Sequence, residues 1–138
     1  MKKTVLVCDD DADLRRILVR LLSPYARVLE AADGEAALRL IAAEAPDVVL
    51  LDVTMPGRSG LETLQAYRGR RPCPATIMLT GTAEIAIARE ALRLGAVEYV
   101  TKPFDPKDLR EEVRRRLEEN AGDGPPREGG RPWRVAGE

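Results

Sequence analysis

Short apolar segments alternate with stretches of helical periodicity along most of this chain, and that alternation restricts its fold more than any other feature. The apolar segments are residues 4–8, 28–29, 47–51, 75–79 and 97–101. Between the first two, Leu14, Leu18 and Leu21 recur at the spacing of one helical face. Strands that alternate with helices over short connections form a parallel sheet with helices on both faces. We therefore predict a doubly wound α/β fold with five parallel strands.

The third apolar segment ends on a carboxylate that the following sequence leaves in a loop. Residues 48–51 are all apolar, Asp52 follows them, and the pair Pro56-Gly57 then breaks the chain. In open α/β sheets, ligands bind outside the carboxyl ends of the strands. Asp52 is therefore expected at the edge of the sheet where chemistry takes place.

Three other predicted strands also end on polar residues. The first runs into the aspartates of residues 9–11, the fourth ends on Thr80, and the fifth leads into Lys102. If the strands are parallel, three acids, a hydroxyl and an ammonium group converge on Asp52. Each residue alone is typical of a turn or a helix cap. Their occurrence together at four strand ends indicates a functional site instead.

Clustered carboxylates of this kind need either a cation or raised pKa values. At an effective dielectric constant of about 20, two unit charges about 5 Å apart repel by roughly 3 kcal/mol. An all-oxygen ligand set favours Mg²⁺ over zinc, with Mn²⁺ and Ca²⁺ as alternatives. A carboxylate can also attack phosphorus to give an acyl phosphate, and that transfer requires positive charge, such as a metal ion and Lys102.

The composition excludes several function classes. A net charge of −1 provides no general attraction to nucleic acid or anionic membrane, and no segment approaches the roughly 20 apolar residues of a membrane span. The chain contains no histidine, which excludes serine–histidine–aspartate catalysis and a histidine phosphodonor within the chain. Its two cysteines are too few for a disulfide framework, so we expect a cytoplasmic protein.

Four motifs resemble those of a known family, the CheY-like receiver domains of bacterial two-component response regulators. They are VCDDD at residues 7–11, LDVTMPG at 51–57, LTG at 79–81 and YVTKPF at 99–104. The resemblance covers about residues 4–119 and implies a flavodoxin-like fold with strand order 2-1-3-4-5. It also implies a signalling domain rather than an enzyme, one that catalyses only its own phosphorylation and dephosphorylation.

The resemblance assigns the acids to phosphorylation and metal binding. It implies that Asp52 accepts a phosphoryl group from the phosphohistidine of a sensor histidine kinase or phosphotransfer protein. Asp10, Asp52 and the backbone carbonyl of Thr54 would bind Mg²⁺, with Asp9 contributing through water. An aspartate nucleophile is also used by phosphatases of the haloacid dehalogenase type. That family requires a second aspartate two residues later, where this chain has Thr54, so the phosphatase alternative is weaker.

The resemblance also implies a conformational switch. Lys102 and Thr80 would bind the phosphoryl group, and the Lys102-Pro103 peptide bond would be cis. After phosphorylation, Thr80 would move toward the phosphoryl group and Tyr99 would turn inward into the vacated space. This movement would repack the surface formed by the fourth helix, the fifth strand and the fifth helix, about residues 84–119.

The last part of the sequence differs from the rest. Glycine and proline become frequent, so we predict a receiver domain at residues 1–119 and a flexible tail or truncated linker at residues 120–138. The output is either stand-alone protein–protein signalling or, alternatively, that of a longer DNA-binding response regulator of which this chain is the receiver fragment. We expect this chain itself to bind neither DNA nor membrane.

Activation is also expected to favour a homodimer through the surface at residues 84–119. The final predicted helix carries Glu111/Arg115 and Glu112/Arg116 at i,i+4 spacing. These are either intrahelical pairs on a solvated face, each worth about 0.2–0.5 kcal/mol, or contacts across a two-fold axis.

Overall fold

The computed structural model describes residues 3–120 and contains the five-stranded parallel sheet that the sequence predicts. The strands are Thr4–Cys8 (β1), Arg27–Ala31 (β2), Val48–Asp52 (β3), Ala75–Thr80 (β4) and Glu98–Thr101 (β5). The helices are Ala12–Leu22 (α1), Gly34–Glu44 (α2), Gly60–Tyr67 (α3), Ile85–Arg93 (α4) and Pro106–Asn120 (α5), with a 3₁₀ turn at Thr82–Glu84. The order β2-β1-β3-β4-β5 confirms the predicted strand order. Residues 121–138, which make up most of the predicted tail, lie outside the described residues.

Two hydrophobic cores lie on opposite faces of this sheet. One core includes Leu18 of α1 and Val113 of α5. The other includes Ile41 of α2, Leu64 of α3 and Ala88 of α4. Every residue of β1 and β3 is buried, because helices cover both faces of the sheet. This explains why these two strands are nearly continuous apolar runs rather than alternating ones.

Polar caps fix the helices that follow β1, β2 and β3. The carboxylates of Asp11 and Asp33 accept hydrogen bonds from backbone amides in the first turns of α1 and α2. Ser59 begins α3 with a reciprocal capping box that involves Glu62. Each such cap stabilises a helix by about 1 kcal/mol, and together they set where the loops leave the sheet edge.

The third strand begins and ends one residue later than predicted. Asp52 pairs in register with Leu79 of β4, which makes it part of the sheet. Asp47, the predicted first residue, instead accepts a hydrogen bond from the Thr4 amide at 2.8 Å. The fifth strand likewise begins one residue late, at Glu98. The strand pairing thus fixes the backbone from which the Asp52 side chain extends.

The charged residues of α5 pair differently from the prediction. Glu112 and Arg116 form the expected i,i+4 pair at 2.7 Å. Arg115 does not pair with Glu111 but contacts Glu112, and Glu111 pairs with two other arginines of the helix. Glu112 and Arg116 are only 5% and 4% exposed, so this face is not solvated. The reason is that they pack against β5, where Arg116 lies 3.7 Å from the carboxylate of Glu98.

The buried carboxylate of Glu98 is expected to make stability depend on pH. Burial, and then the charge of Glu112, raise the pKa of Glu98 to about 7 from an ordinary 4.5, although Arg116 opposes the rise. As pH rises between these two values, the unfolded chain loses the proton before the folded chain does, so the folded state loses stability. We expect Glu98→Gln to raise the free energy of unfolding at pH 8 by on the order of 1 kcal/mol, and by less at pH 5.

Urea denaturation of the variant and the unaltered chain at both pH values measures this difference. Glu111→Gln is the control, because the Glu111 side chain is 57% exposed and surface ion pairs contribute little to stability. An equal gain in the control, or a gain independent of pH, would contradict the role assigned to Glu98.

The start of α3 packs closely against the end of β3. A Cβ atom on Gly60 would lie 2.1 Å from the backbone oxygen of Asp52. We expect Gly60→Ala to lower the free energy of unfolding by about 1–3 kcal/mol, because the backbone must shift to relieve the contact. Gly69→Ala is the matched control, since a Cβ atom there meets nothing within 4 Å. Thermal unfolding should separate the two variants, and equal melting temperatures would disprove the close contact.

Candidate functional site

Three carboxylates meet at the carboxyl edge of the sheet. Asp9 and Asp10 follow β1, and Asp52 ends the neighbouring strand β3. One oxygen from each of the three lies within 4.8 Å of the others. Asp9 and Asp52 are buried, whereas Asp10 is exposed. The parallel order of β1 and β3 thus places these acids together, as expected from the strand ends.

The third acid of the predicted cluster, Asp11, has a different role. Its carboxylate caps α1 by accepting hydrogen bonds from the amides of Asp13 and Leu14. Its own backbone amide donates to Oδ1 of Asp9 at 2.9 Å. The expectation that all three consecutive aspartates converge on Asp52 is therefore wrong for Asp11, because the helix start requires its carboxylate.

Lys102 connects the two buried acids. Its Nζ atom lies 2.9 Å from Oδ2 of Asp9 and 3.4 Å from Oδ2 of Asp52. Burial alone would lower the pKa of Lys102, but its hydrogen bond to Asp9 and the charge of Asp52 raise that pKa overall. The ammonium group therefore keeps its charge. The Lys102–Pro103 peptide bond, just past β5, is cis.

The acids outnumber the cation that contacts them, and Asp52 shows the consequence. Burial, followed by the negative charge of Asp9, raises the pKa of Asp52 to about 6, while Lys102 lowers it. The Thr54 amide also donates to Oδ1 of Asp52 at 3.2 Å and partly offsets the rise. A further cation beside these oxygens would remove the remaining repulsion.

The ligand set fits Mg²⁺. All three candidate ligands are carboxylate oxygens, which hard divalent cations prefer. The exposed position of Asp10 leaves one side of the cluster open to solvent, as suits an ion that keeps several of its waters. The backbone carbonyl of Thr54 stays a predicted ligand, on a residue whose amide already contacts Asp52.

Thr80 ends β4, the strand next to the one that carries Asp52, and Tyr99 lies in β5 but is not in the predicted resting position. The hydroxyl of Thr80, which is fully buried at the end of β4, donates to the Gly81 carbonyl at 2.9 Å. The side chain of Tyr99 is only 4% exposed and belongs to a core that contains Ala88 and Ala91. In this structure the tyrosine is therefore already buried. The predicted turn from an outward to an inward position would need a starting conformation that the structure does not show.

Two polar residues near the site were not singled out from the sequence. Arg15 of α1 donates from Nη1 to the backbone oxygen of Asp9 at 2.6 Å. Thr101 ends β5 beside Thr80 in register, and its buried hydroxyl has no hydrogen-bond partner within residues 3–120. An arginine in a mixed-charge helix resembles a surface residue, and a threonine in a strand resembles a core residue. Neither residue could therefore be assigned to the site from the sequence alone.

Cys8 is a core residue rather than part of the site. It is fully buried, and its sulfur lies 3.3 Å from that of Met55. Burial, and then the charge of Asp9, raise the pKa of the Cys8 thiol to about 12. A thiol that stays protonated is a poor nucleophile and a poor metal ligand, so Cys8 takes no part in the site.

The fold, the acid cluster and the bridging lysine define a signalling domain, and the chain belongs to the response regulator receiver domain family of two-component systems. The family model matches residues 5–114. The recognition made from the four sequence motifs is thereby confirmed, and the phosphatase alternative is not supported. Among residues 3–120, none of the helices has the length and apolar character needed to cross a membrane.

Curated relatives share this region but are longer. The probable transcriptional regulator ycf27 of Guillardia theta is 44% identical over 114 residues, which cover 82% of this chain and 44% of the relative. The regulatory protein AtoC of Escherichia coli is 38% identical over a region that covers 83% of this chain and 25% of AtoC. A protein-glutamate methylesterase/protein-glutamine glutaminase of Halalkalibacterium halodurans is 40% identical over a region that covers 88% of this chain and 36% of the relative. The chain thus spans less than half the length of these relatives.

Solved structures of similar chains are nearer to it in size. A CheY-like receiver domain protein of Methanospirillum hungatei has a TM-score of 0.81 and 31% identity, covering 86% of this chain and 96% of that one. A receiver domain protein of Clostridium thermocellum has a TM-score of 0.79 and 30% identity, covering 85% and 95%. The receiver fold therefore accounts for nearly all of the described residues.

Removing the charge of Asp52 should stabilise the protein when no divalent cation is present. Its pKa lies above the ordinary 3.8, so the folded state loses stability as pH rises from that value to about 6. We expect the free energy of unfolding of Asp52→Asn to exceed that of the unaltered chain by on the order of 1 kcal/mol at pH 7.5 in chelator. Excess Mg²⁺ should narrow this difference by stabilising only the unaltered chain.

Thermal unfolding with chelator and with Mg²⁺ measures both effects. Asp13→Asn is the control, because the Asp13 side chain is 86% exposed near the same edge of the sheet. If Asp52→Asn is no more stable than the control in chelator, the cluster is not short of positive charge.

Proposed function

We propose that this chain is a phosphorylation-controlled receiver in which Asp52 accepts a phosphoryl group in a Mg²⁺-dependent reaction. The donor would be the phosphohistidine of a sensor histidine kinase or phosphotransfer protein, since the chain has no histidine of its own. The observation that carries the proposal is the contact of one ammonium group, that of Lys102, with the two buried carboxylates of Asp9 and Asp52.

Among the three acids, Asp52 is best suited to be the nucleophile. Both oxygens of Asp9 are held at 2.9 Å, one by the Asp11 amide and the other by Lys102. The corresponding contacts of Asp52, with the Thr54 amide and Lys102, are longer, at 3.2 and 3.4 Å. Asp10 is exposed and is not held within a strand. Asp52 is fixed at the end of β3, and its raised pKa makes its carboxylate more basic and hence more nucleophilic.

The proposed transfer is a displacement at phosphorus. A carboxylate oxygen of Asp52 forms the new bond to phosphorus as the bond from phosphorus to the donor imidazole nitrogen breaks, and the nitrogen keeps the electron pair. Lys102 would neutralise charge on the phosphoryl oxygens, and Asp9 and Asp10 would hold the metal beside Asp52. When bound, Mg²⁺ supplies the positive charge that phosphoryl transfer requires.

Acetyl phosphate with Mg²⁺ tests the phosphoacceptor directly. We expect one phosphoryl group per chain, trapped by borohydride at Asp52 and lost completely in Asp52→Ala. Asp10→Ala should lose both phosphorylation and stabilisation by Mg²⁺. Asp13→Ala, an exposed acid outside the cluster, should keep both. Label that survives in Asp52→Ala would rule out the proposed acceptor.

Phosphorylation would change the surface of α4, β5 and α5 by shifting the equilibrium between an inactive and an active conformation of the chain. In the proposed active state, the Thr80 hydroxyl leaves the Gly81 carbonyl and donates to the phosphoryl group. Because Tyr99 is already buried here, phosphorylation would stabilise its inward position rather than create it. A shift from 1:99 to 99:1 requires a preference of about 5.5 kcal/mol for the active state.

Variants of Thr80 and Lys102 should separate the chemistry from this switch. Thr80 carries no charge, so Thr80→Ala should still be phosphorylated but should not change the environment of Tyr99. Within residues 3–120, Lys102 carries the only ammonium group in contact with Asp52, so Lys102→Ala should slow phosphorylation by about 10²-fold or more. Phosphorylation rates beside the NMR signals of Tyr99 measure both. A normal Tyr99 response in Thr80→Ala would show that the hydroxyl does not couple the two sites.

The output of the proposed receiver depends on what it is joined to. Its longer relatives are named as a probable transcriptional regulator, a regulatory protein and a methylesterase/glutaminase, which favours a receiver at residues 1–119 within a longer regulator. Such a regulator would bind DNA through another part of the protein. Stand-alone signalling through protein partners is the alternative, and self-association through α4, β5 and α5 stays a prediction in both cases.

A further inference from the structure

Arg15 contacts the acid site without touching its carboxylates. It lies in α1, and its side chain is only 17% exposed. Its Nη1 atom donates to the backbone oxygen of Asp9 at 2.6 Å, and its Nε atom donates to Oε1 of Glu30 at 3.2 Å. The next residue, Arg16, is 65% exposed and pairs with Asp13 on the surface. The two adjacent arginines therefore have different environments.

The hydrogen bond from Arg15 helps to hold the backbone of Asp9 in place. The Asp9 amide donates to the Ala31 carbonyl of β2 at 3.1 Å, and Arg15 holds the carbonyl on the other side of the residue. Glu30, which also belongs to β2, in turn holds the guanidinium group. Asp9 is thus tied to β2 through both of its backbone groups. A guanidinium can make this bridge because its donors diverge in a fixed plane.

Asp9 is the residue whose position matters most to the cluster. Its carboxylate accepts from the Asp11 amide and from Lys102, and one of its oxygens is a candidate ligand. A shift of its backbone would therefore move a ligand and the ammonium group together. Partners that orient metal ligands in this way typically change metal affinity by about 10–100-fold when they are removed.

We propose that Arg15 is a positioning residue, which holds Asp9 so that the acid cluster and Lys102 keep the geometry needed for Mg²⁺ binding. The inference rests on the proposed function, because it concerns the same cluster. An arginine near three carboxylates could instead act only through its charge. The two roles predict opposite results, since loss of a nearby positive charge should strengthen cation binding, whereas loss of positioning should weaken it.

The test is a Mg²⁺ titration of the full chain followed by amide NMR shifts. We expect Arg15→Ala to bind Mg²⁺ about 10-fold more weakly or worse, with faster hydrogen exchange of the amides of residues 9–11 in chelator. Arg15→Lys keeps the charge, but its single ammonium group cannot reproduce the bridge, so it should also bind weakly. Arg16→Ala is the matched control and should bind as the unaltered chain does.

Glu30→Gln gives a milder test in case Arg15→Ala does not fold. It weakens the hold on the guanidinium but leaves the bond to Asp9, so a smaller loss of affinity is expected. At saturating Mg²⁺, the phosphorylation rate of Arg15→Lys should return most of the way to that of the unaltered chain.

Three outcomes would overturn the inference. Mg²⁺ binding by Arg15→Ala that equals or exceeds that of the unaltered chain would show that Arg15 positions nothing. Mg²⁺ binding by Arg15→Lys that equals that of the unaltered chain would show that the guanidinium bridge between Asp9 and Glu30 is not needed to position Asp9. In both cases the proposed function would stand, because the unaltered chain binds Mg²⁺. Failure of the unaltered chain to bind Mg²⁺ would overturn the proposed function and this inference together.

Discussion

The contact of Lys102 with two buried carboxylates is the interaction on which the site depends. Asp9 and Asp52 end neighbouring strands, so the parallel sheet brings two negative charges together away from water. Such burial is costly unless a counter-charge and hydrogen bonds accompany it. Lys102 supplies one positive charge at the end of β5, and backbone amides supply the hydrogen bonds. The remaining deficit of positive charge favours a cation beside these oxygens, and it is the basis of the proposed metal site.

A second group of buried charges lies on the same short strand. Glu98 begins β5 and faces Arg116 and Glu112 of α5, whereas Lys102 follows the other end of the strand. Between them lies Tyr99, buried on the side of the sheet that α4 covers. β5 thus connects the proposed phosphorylation site with the helix that would carry its output. This arrangement gives a physical reason why charge at Asp52 could affect the packing of α5.

The sequence was sufficient to predict those features that depend on local pattern. Apolar runs and helical spacing predict the sheet and its helices, and Asp9, Asp10 and Asp52 stand where strands end. The sequence was insufficient where a side chain has several possible partners in the folded structure. Glu111 does not pair with Arg115 because Arg115 contacts the buried Glu112.

The same limit applies to Arg15 and to Tyr99. The hydrogen bond from Arg15 to Glu30 requires α1 to lie beside β2, which residue spacing within one helix does not reveal. Tyr99 is buried in a core that also contains Ala88 and Ala91 of α4. Motif resemblance names a residue and its role, but the conformation it adopts at rest is decided by packing.

The central claim is that the acid cluster lacks positive charge, and carboxyl-carbon NMR of Asp52 measures this most directly. The chain would be labelled at its aspartate carboxyl carbons and titrated with acid in chelator and in Mg²⁺. We predict that Asp52 titrates at a pKa of about 6 in chelator and that Mg²⁺ lowers this pKa markedly. A pKa near the ordinary 3.8 that does not change with Mg²⁺ would contradict the account.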